Sequence, residues 1–402
     1  MSAGPRWLIV SNGHGEDQVG ATLARALLAR SSALQLEALP LVGAGRAYEA
    51  IGVPCLGPRT VLPSGGLTVH HPRAALADLR AGLVPMTLAQ LGVVRRARPG
   101  HVLVVGDVYA HTLASFVPAQ RSVVQTLVSV RMRVPGRRVA WQRVFMERIG
   151  WPERRLMRGR VRAVYTRDEA TAAWLRGHGV PYARWLGNPM MDAFGPGRPI
   201  DGTAGRAVVA LLPGSRAYAG RSVQLMLAAL ARLGPALGLV AWTHGPPPAL
   251  AGWQPCARQV PGLLAAWRRS DAAAGSPAGS PGAEVWWLEG RFADVLASAQ
   301  VVLGTTGTAQ EQAAGLGLPV VSFAVPPDLS RAFLRNQQQL LGPALRLVEA
   351  DAEAIAQALA AALAGGEHSR AAAVEGPARM GPSGAAARIA ADMLAELEAA
   401  GG

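Results

Sequence analysis

Short apolar runs recur along this chain, and most of them stop at a glycine-bearing loop that precedes a helix-spaced segment. Trp7–Ser11 is the first: four apolar residues, the loop Asn12–Asp17, then helical spacing over Val19–Ser31. The pattern predicts further strands at Leu34–Leu39, His101–Val105, Arg121–Ser129, Val161–Thr166 and Arg184–Gly187, with a turn at Gly43–Gly45. Helices are predicted over residues 73–97, interrupted near Pro85, and over Asp168–His178. After residue 206 the alternation starts afresh. Strands are expected at Ala207–Leu212, Leu239–Thr243, Glu284–Leu288, Val301–Leu303 and Val320–Ala324. Helices are expected up to about Leu233, over Arg291–Ala299, from about Ala309, and over about 351–364 and 383–399. Strands alternating with helices argue for parallel sheets covered on both faces.

The fold class this predicts is α/β, with two Rossmann-like doubly wound domains facing a central cleft. Residues 1–193 form the N-terminal domain, 194–205 a Pro/Gly-rich linker, and 206–380 the C-terminal domain. Residues 381–402 form a last helix that could pack back on the N-terminal domain. The segment Ala272–Gly282 is low in complexity and reads as a surface loop. Ligands in doubly wound folds bind at the carboxyl ends of the strands, so the loops there are the candidates for chemistry.

The richest loop is Gly304-Thr-Thr-Gly-Thr308, between Val301–Leu303 and a helix carrying Gln310, Glu311 and Gln312. A helix start aims unpaired backbone N–H groups and a favourable dipole at whatever lies above it, which suits a phosphate held by Thr305, Thr306, Gly307 and Thr308. Glu311 sits too near that end to welcome phosphate and is better placed to accept hydrogen bonds from a ribose diol. The same residues would also serve as a plain helix cap. Leu212-Pro-Gly-Ser-Arg216 follows the second domain's first strand; Gly214, Ser215 and Arg216 could bind phosphate oxygens. Ser11-Asn-Gly-His-Gly-Glu-Asp17 follows strand one. Gly13 and Gly15 let a ligand approach the backbone, and His14, Glu16 and Asp17 are an unusual density of titratable groups for a turn. Asp107 ends a strand apolar on both faces, where it could be a general base or a helix cap. Asn188, in Leu186-Gly-Asn-Pro-Met-Met-Asp192, could reach a ligand or be structural. Gln338, in Arg335-Asn-Gln-Gln-Gln339, is a further candidate for reading the sugar or diphosphate.

Charge sharpens this. The chain holds no lysine; residues 1–200 carry a net +15 and residues 201–402 a net −1. The N-terminal half therefore faces something anionic: a membrane surface, a phosphorylated acceptor or a nucleic acid. Between Arg121 and Arg162 there are 12 Arg and two acids, with Met132, Val134, Trp141, Phe145 and Trp151 interleaved, a composition suited to an anionic membrane interface. Two cysteines, Cys55 and Cys256, build neither a disulfide framework nor a metal motif and fit a reducing cytosol. No apolar run is long enough to span a bilayer, the longest being about 12 residues around Pro85.

Four segments together resemble the lipid-A-disaccharide synthase family of GT-B glycosyltransferases. Gly13 to Ala21, ending Asp17-x-x-Gly20-Ala21, resembles the family's first glycine-rich motif. Leu212-Pro-Gly-Ser-Arg216 is similar to its phosphate motif, Gly187-x-Pro-Met-x-Asp192 to its hinge motif, and Gly304-Thr-x-Gly-Thr-x-x-Glu311 to its nucleotide loop. The His-Gly-Glu-Asp loop resembles a synthase-related branch, and also the peptidoglycan N-acetylglucosaminyltransferase. The resemblance implies a UDP-sugar donor on the C-terminal domain, a lipid acceptor on the N-terminal one, and inversion at the anomeric carbon. A peripheral enzyme at the cytoplasmic face of the membrane is expected, with no cofactor and no metal, since no Asp-x-Asp occurs. Asp107, Asp17 or His14 would be the base. The alternatives are a UDP-sugar 2-epimerase, a basic nucleic-acid-binding protein and a non-catalytic binding module. No RNA-binding aromatic motif or recognition-helix pattern is present, so nucleic acid is not the expected partner.

Overall fold

The computed structural model describes residues 4–59, 80, 82–126, 128–132, 149–269 and 282–401. It divides into two compact units, Met1–Ala193 with Gly381–Gly402, and Phe194–Met380.

The first unit is built on β1 (Arg6–Ser11), β2 (Gln35–Pro40), β3 (His101–Val105), β4 (Gln120–Gln125), β5 (Val161–Thr166) and β6 (Ala183–Arg184). Their order is β2-β1-β3-β4-β5-β6, and every pair is parallel. Among the described residues these strands are accompanied by α1 (His14–Arg30), α2 (Arg46–Glu49), α3 (Leu83–Ala97), α4 (Val108–Ser115), α5 (Trp151–Leu156) and α6 (Glu169–Gly177). Successive side chains of a strand point to opposite faces. Leu8, Val10, Val102 and Val104 accordingly feed one core, and Trp7, Ile9, Leu103 and Val105 the other. The C-terminal helix, Ala385–Gly401, joins that second core through Ile389 and Met393. Asp192 accepts from the N–H groups of Gly384 (2.5 Å) and Ala386 (2.7 Å) at the start of this helix. Arg184 pairs with Asp392 and Glu396 further along.

Chain direction along the first sheet reverses at β1, which has β2 on one side and β3 on the other. Ligand crevices of doubly wound sheets open at such a switch point. Here that places Ser11–Gly13 beside Gly106–Asp107. Predicted boundaries shift: the strand expected at Arg121–Ser129 is Gln120–Gln125, and the one expected at Arg184–Gly187 is Ala183–Arg184. Helix α1 begins at His14, because Gly13, with φ of 109°, turns strand into helix in one step. Helix α3 begins at Leu83, after a turn at Gly82 with φ of 94°, and Pro85 stands in its first turn, where the missing N–H costs no hydrogen bond; residues 73–79 of the predicted stretch lie outside the described residues.

The second unit holds β7 (Ala207–Leu212), β8 (Ala236–Ala241), β9 (Trp253–Pro255), β10 (Leu263–Arg269), β11 (Glu284–Leu288), β12 (Val301–Gly304), β13 (Val320–Ser322) and β14 (Leu345–Leu347). The order is β14-β13-β12-β7-β8-β11-β10-β9, parallel except where β10 runs antiparallel to β11 and β9. Its helices are α7 (Ala219–Leu233), α8 (Phe292–Ser298), α9 (Thr308–Gly315), α10 (Arg331–Leu341), α11 (Ala352–Leu363) and α12 (Glu367–Met380). The switch point lies at β7, between β12 and β8, and brings the loop after Leu212 beside the loop after Gly304.

Residues 194–205, read from the sequence as a linker, are fixed on this unit. The Arg198 N–H donates to Asp294 Oδ1 (2.7 Å), the Ile200 N–H to Ser298 Oγ (2.9 Å), and Ile200 is buried. The antiparallel extension is held by Glu284. Its buried carboxylate accepts from Arg258 (2.7 and 2.9 Å), Arg206 (3.1 Å) and the Trp286 indole (2.5 Å). Burial alone would raise this carboxyl; the guanidiniums and the indole outweigh it and hold it at about 2. The low-complexity segment lies outside the described residues except for Gly282.

Candidate functional site

In the second unit three loops knit together at the switch point. Gly214 has φ of 86°, and a Cβ there would stand 2.6 Å from Thr306 Cγ2, so only glycine lets the two loops meet. Thr305 donates from Oγ1 to the Pro213 carbonyl (3.3 Å) and from its N–H to the Leu212 carbonyl (3.1 Å). The Tyr218 hydroxyl donates to the Thr305 carbonyl (3.0 Å), and His244 Nε2 lies 2.9 Å from the Gly214 carbonyl. Helix α9 then starts at Thr308 with no side-chain cap, and its first intrahelical bond runs from the Glu311 N–H to the Gly307 carbonyl. The N–H groups of the first turn are therefore presented to a ligand, with the positive end of the helix dipole behind them. Ser215, Arg216 and Thr308 are exposed at this edge, while Glu311 and Gln312 are buried in the first turn. Among the described residues Thr306 Oγ1 is buried without a hydrogen bond. The structure brings Gly214, Thr305, Thr306, Gly307 and Thr308 together at this edge.

In the first unit the carboxylates converge on the other switch point. Asp107 caps α4, accepting from the Tyr109 N–H (3.0 Å), and also takes the Asn12 amide N–H (2.9 Å) on the same Oδ1. Burial pushes its carboxyl up, opposed by those donors. Glu16, 6% exposed, is pushed up to about 8, first by burial and then by the charges of Asp107 and Asp17, against its own backbone hydrogen bond. Asp17 is enclosed: Ser11 Oγ donates to its Oδ1 at 2.6 Å, and the Tyr48 hydroxyl donates to Ser11 Oγ at 2.9 Å. Burial raises Asp17 to about 6 despite the Ser11 hydrogen bond. The His14 backbone opens α1, and its side chain lies outside what is described. Gly15 is exposed, and among the described residues no atom beyond its chain neighbours and its own helix backbone lies within 4 Å of where its Cβ would stand.

Two expected ligand residues take structural places. Asn188 is fully buried, and its Oδ1 accepts from the Met190 N–H at 3.1 Å, capping the short helical turn Pro189–Asp192. Gln338 turns away from the nucleotide loop and donates to the Leu345 carbonyl of β14 at 3.2 Å. Its neighbour Gln337 faces the loop instead: its Nε2 is 3.6 Å from where a Cβ on Gly307 would lie, beside Phe333. Gln310 ties β12 to β13, donating to the Gly304 carbonyl (2.6 Å) and to Ser322 Oγ (2.9 Å). Residues 133–148 of the Arg-rich stretch lie outside the described residues.

No protein-family model and no curated protein matches the chain. Solved structures do. CalG4, the calicheamicin glycosyltransferase, is 14% identical with a TM-score of 0.62, covering 98% of this chain and 99% of its own. MurG of Acinetobacter baumannii is 12% identical with a TM-score of 0.56, covering 97% and 99%. UDP-GlcNAc 2-epimerase of Neisseria meningitidis bound to UDP-GlcNAc is 12% identical with a TM-score of 0.54, covering 97% and 100%.

This chain has the GT-B fold. Within that GT-B framework, sequence reasoning found both switch-point loops but missed the residues that brace them. Asn12, Ser11 and Tyr48 brace the first, and Tyr218, His244 and Gln337 the second. Tyr48 is 37 residues from Ser11 and Tyr218 is 87 from Thr305, so only the fold joins them.

Proposed function

We propose that this protein is a hexosyltransferase that moves a sugar from a UDP-sugar to a lipid acceptor at the cytoplasmic face of the membrane, with inversion and without a metal. One observation carries the reading: Gly214 pressed against Thr306 at the uncapped start of α9, with Glu311 in the same turn. The diphosphate rests on the N–H groups of Thr306–Thr308 and on Ser215 and Arg216, and Glu311 accepts from the ribose diol. Asp107 is the base, since Asp17 is committed to Ser11. The acceptor oxygen bonds to the anomeric carbon as the bond from that carbon to the diphosphate oxygen breaks. The acceptor proton passes to Asp107, and the electron pair leaves with UDP, whose new charge the loop and Arg216 stabilise.

The lipid acceptor and membrane surface are supported by the +15 half and by the exposed apolar residues of the first unit. Val84 and Leu88 of α3, Phe116 and Trp151 are exposed, and Arg95 lies over the Phe116 ring at 5.6 Å. Among the described residues no helix is long and apolar enough to cross a membrane, so a peripheral association is the form proposed.

A second reading, UDP-sugar 2-epimerase, is favoured by Glu16, which keeps its proton to about 8 beside Asp107 and so offers an acid next to a base. Incubation with UDP-hexoses, with and without lipid extract, separates the two. The transferase reading expects UDP release and a glycolipid only when lipid is present. Conversion of UDP-GlcNAc to its 2-epimer without lipid would favour the second reading.

A further inference from the structure

We propose that Asn12 is a positioning residue for Asp107, and that Ser11, Asp17 and Tyr48 form a buried brace that holds Asn12 in place. This inference rests on the reading of Asp107 as the base.

The brace draws on three elements. Ser11 ends β1, Asp17 lies in the first turn of α1, and Tyr48 comes from α2. All three are buried, at 0, 2 and 0% exposure, and are joined in one chain from the Tyr48 hydroxyl through Ser11 Oγ to Asp17 Oδ1. The Ser11 carbonyl also accepts from the Leu41 N–H at 2.8 Å, so this residue is fixed by side chain and backbone alike. Close packing leaves the chain little play. A Cβ on Gly20 would stand 2.0 Å from the Tyr48 hydroxyl, and one on Gly43 3.3 Å from Asp17 Oδ2.

Asn12 is the next residue, 4% exposed, and its amide is committed to Asp107. Its Oδ1 is buried without a partner among the described residues, so the contact to Asp107 is the amide's one hydrogen bond there. Leaving a buried amide oxygen unpaired costs free energy, which the network bears in keeping the amide N–H on the carboxylate. The two loops touch as well: a Cβ on Gly106 would lie 3.3 Å from Asn12 Cβ and 3.5 Å from Asn12 N. A shift of Ser11 therefore displaces the donor on Asp107, although Ser11 and Tyr48 do not contact that carboxylate.

Burial raises the Asp107 carboxyl, and the titratable and hydrogen-bonding groups around it come from four elements. They are the Asn12 amide, the Glu16 carboxyl of α1, the Glu153 carboxyl of α5, and the Tyr109 and Ala110 N–H groups with the Tyr109 phenol of α4. Of these, the Asn12 amide and the Tyr109 and Ala110 N–H groups favour the ionised, proton-accepting form, while Glu16 and Glu153, themselves pushed up to about 8, stay protonated below that pH.

The test is a pH titration of the full chain carrying carboxyl-13C aspartate, followed by NMR, with the Asp107 signal assigned by its loss in Asp107→Asn. It needs no substrate. Asn12→Ala is expected to move the Asp107 midpoint upward by about one pH unit. Tyr48→Phe and Ser11→Ala are expected to move it the same way by less. An Asp107 midpoint unchanged in Asn12→Ala overturns the proposal. Movement in Asn12→Ala alone overturns the brace. If Asn12→Ala does not fold, Asn12→Ser, which keeps the loop small and polar, carries the same expectation. Failure of the base reading is distinct, since it appears as turnover retained in Asp107→Asn.

Discussion

Asp107 and Glu16 are neighbouring buried carboxyls in different surroundings. Asp107 accepts two N–H groups, whereas Glu16 is buried and faces two negative charges. Asp107→Asn should lower turnover by about 10²–10⁴-fold while UDP affinity, measured by calorimetry, stays unchanged. Glu153 allows a test of stability. Burial first, and then the charge of Asp107, push it up to about 8, against the Gln125 amide at 2.5 Å and Arg154. Its folded-state value lies above its ordinary 4.5, so its contribution to stability is complete below that pH and is lost as pH rises through 8. Glu153→Gln should therefore melt above the wild type at pH 9 and near it at pH 4, measured by thermal circular dichroism. The limits of legibility are also visible at this scale. Composition pointed to the glutamines after Arg335 but not to the helical phase, which puts Gln337, not Gln338, beside Gly307.

Elements carried the clearest signal where their pattern was strict. The strands His101–Val105, Ala207–Leu212 and Glu284–Leu288 are apolar runs ended by Gly, Pro or charge, and they stand where the pattern put them. Strands β9 and β10 were not legible. The first is three residues long, and the second mixes Leu, Ala, Trp and Arg without alternation; they are held by Glu284, which is remote in sequence. Helix α12 was missed for a related reason: it contains Pro377 and presents few large apolar residues. The loop Gly304–Thr308 was legible as glycine and threonine after a strand, but its contact with Gly214 was not. Gly214→Ala tests that contact. A positive φ and a 2.6 Å approach to Thr306 make the substitution strained. Stability should fall by about 1–3 kcal/mol and UDP affinity by at least about tenfold, read by melting and calorimetry.

At the scale of the whole molecule, charge and fold point the same way. The basic half of the chain coincides with most of the unit that holds Asp107, and the near-neutral half with the unit that holds the phosphate loop. A peripheral enzyme of this kind should sediment with vesicles containing phosphatidylglycerol, and much less with phosphatidylcholine alone. Binding should weaken as salt shortens the screening length from about 10 Å at 0.1 M to about 3 Å at 1 M. Equal sedimentation with both vesicles at all salt concentrations would remove the electrostatic argument for a membrane. The central claim, a uridine diphosphate seated on the start of α9, is tested most directly by titrating UDP into the purified chain in a calorimeter, beside Glu311→Ala. The account predicts saturable one-site binding to the wild type and a loss of about tenfold or more in the variant. No heat with any uridine nucleotide, or equal affinity in both proteins, would contradict it.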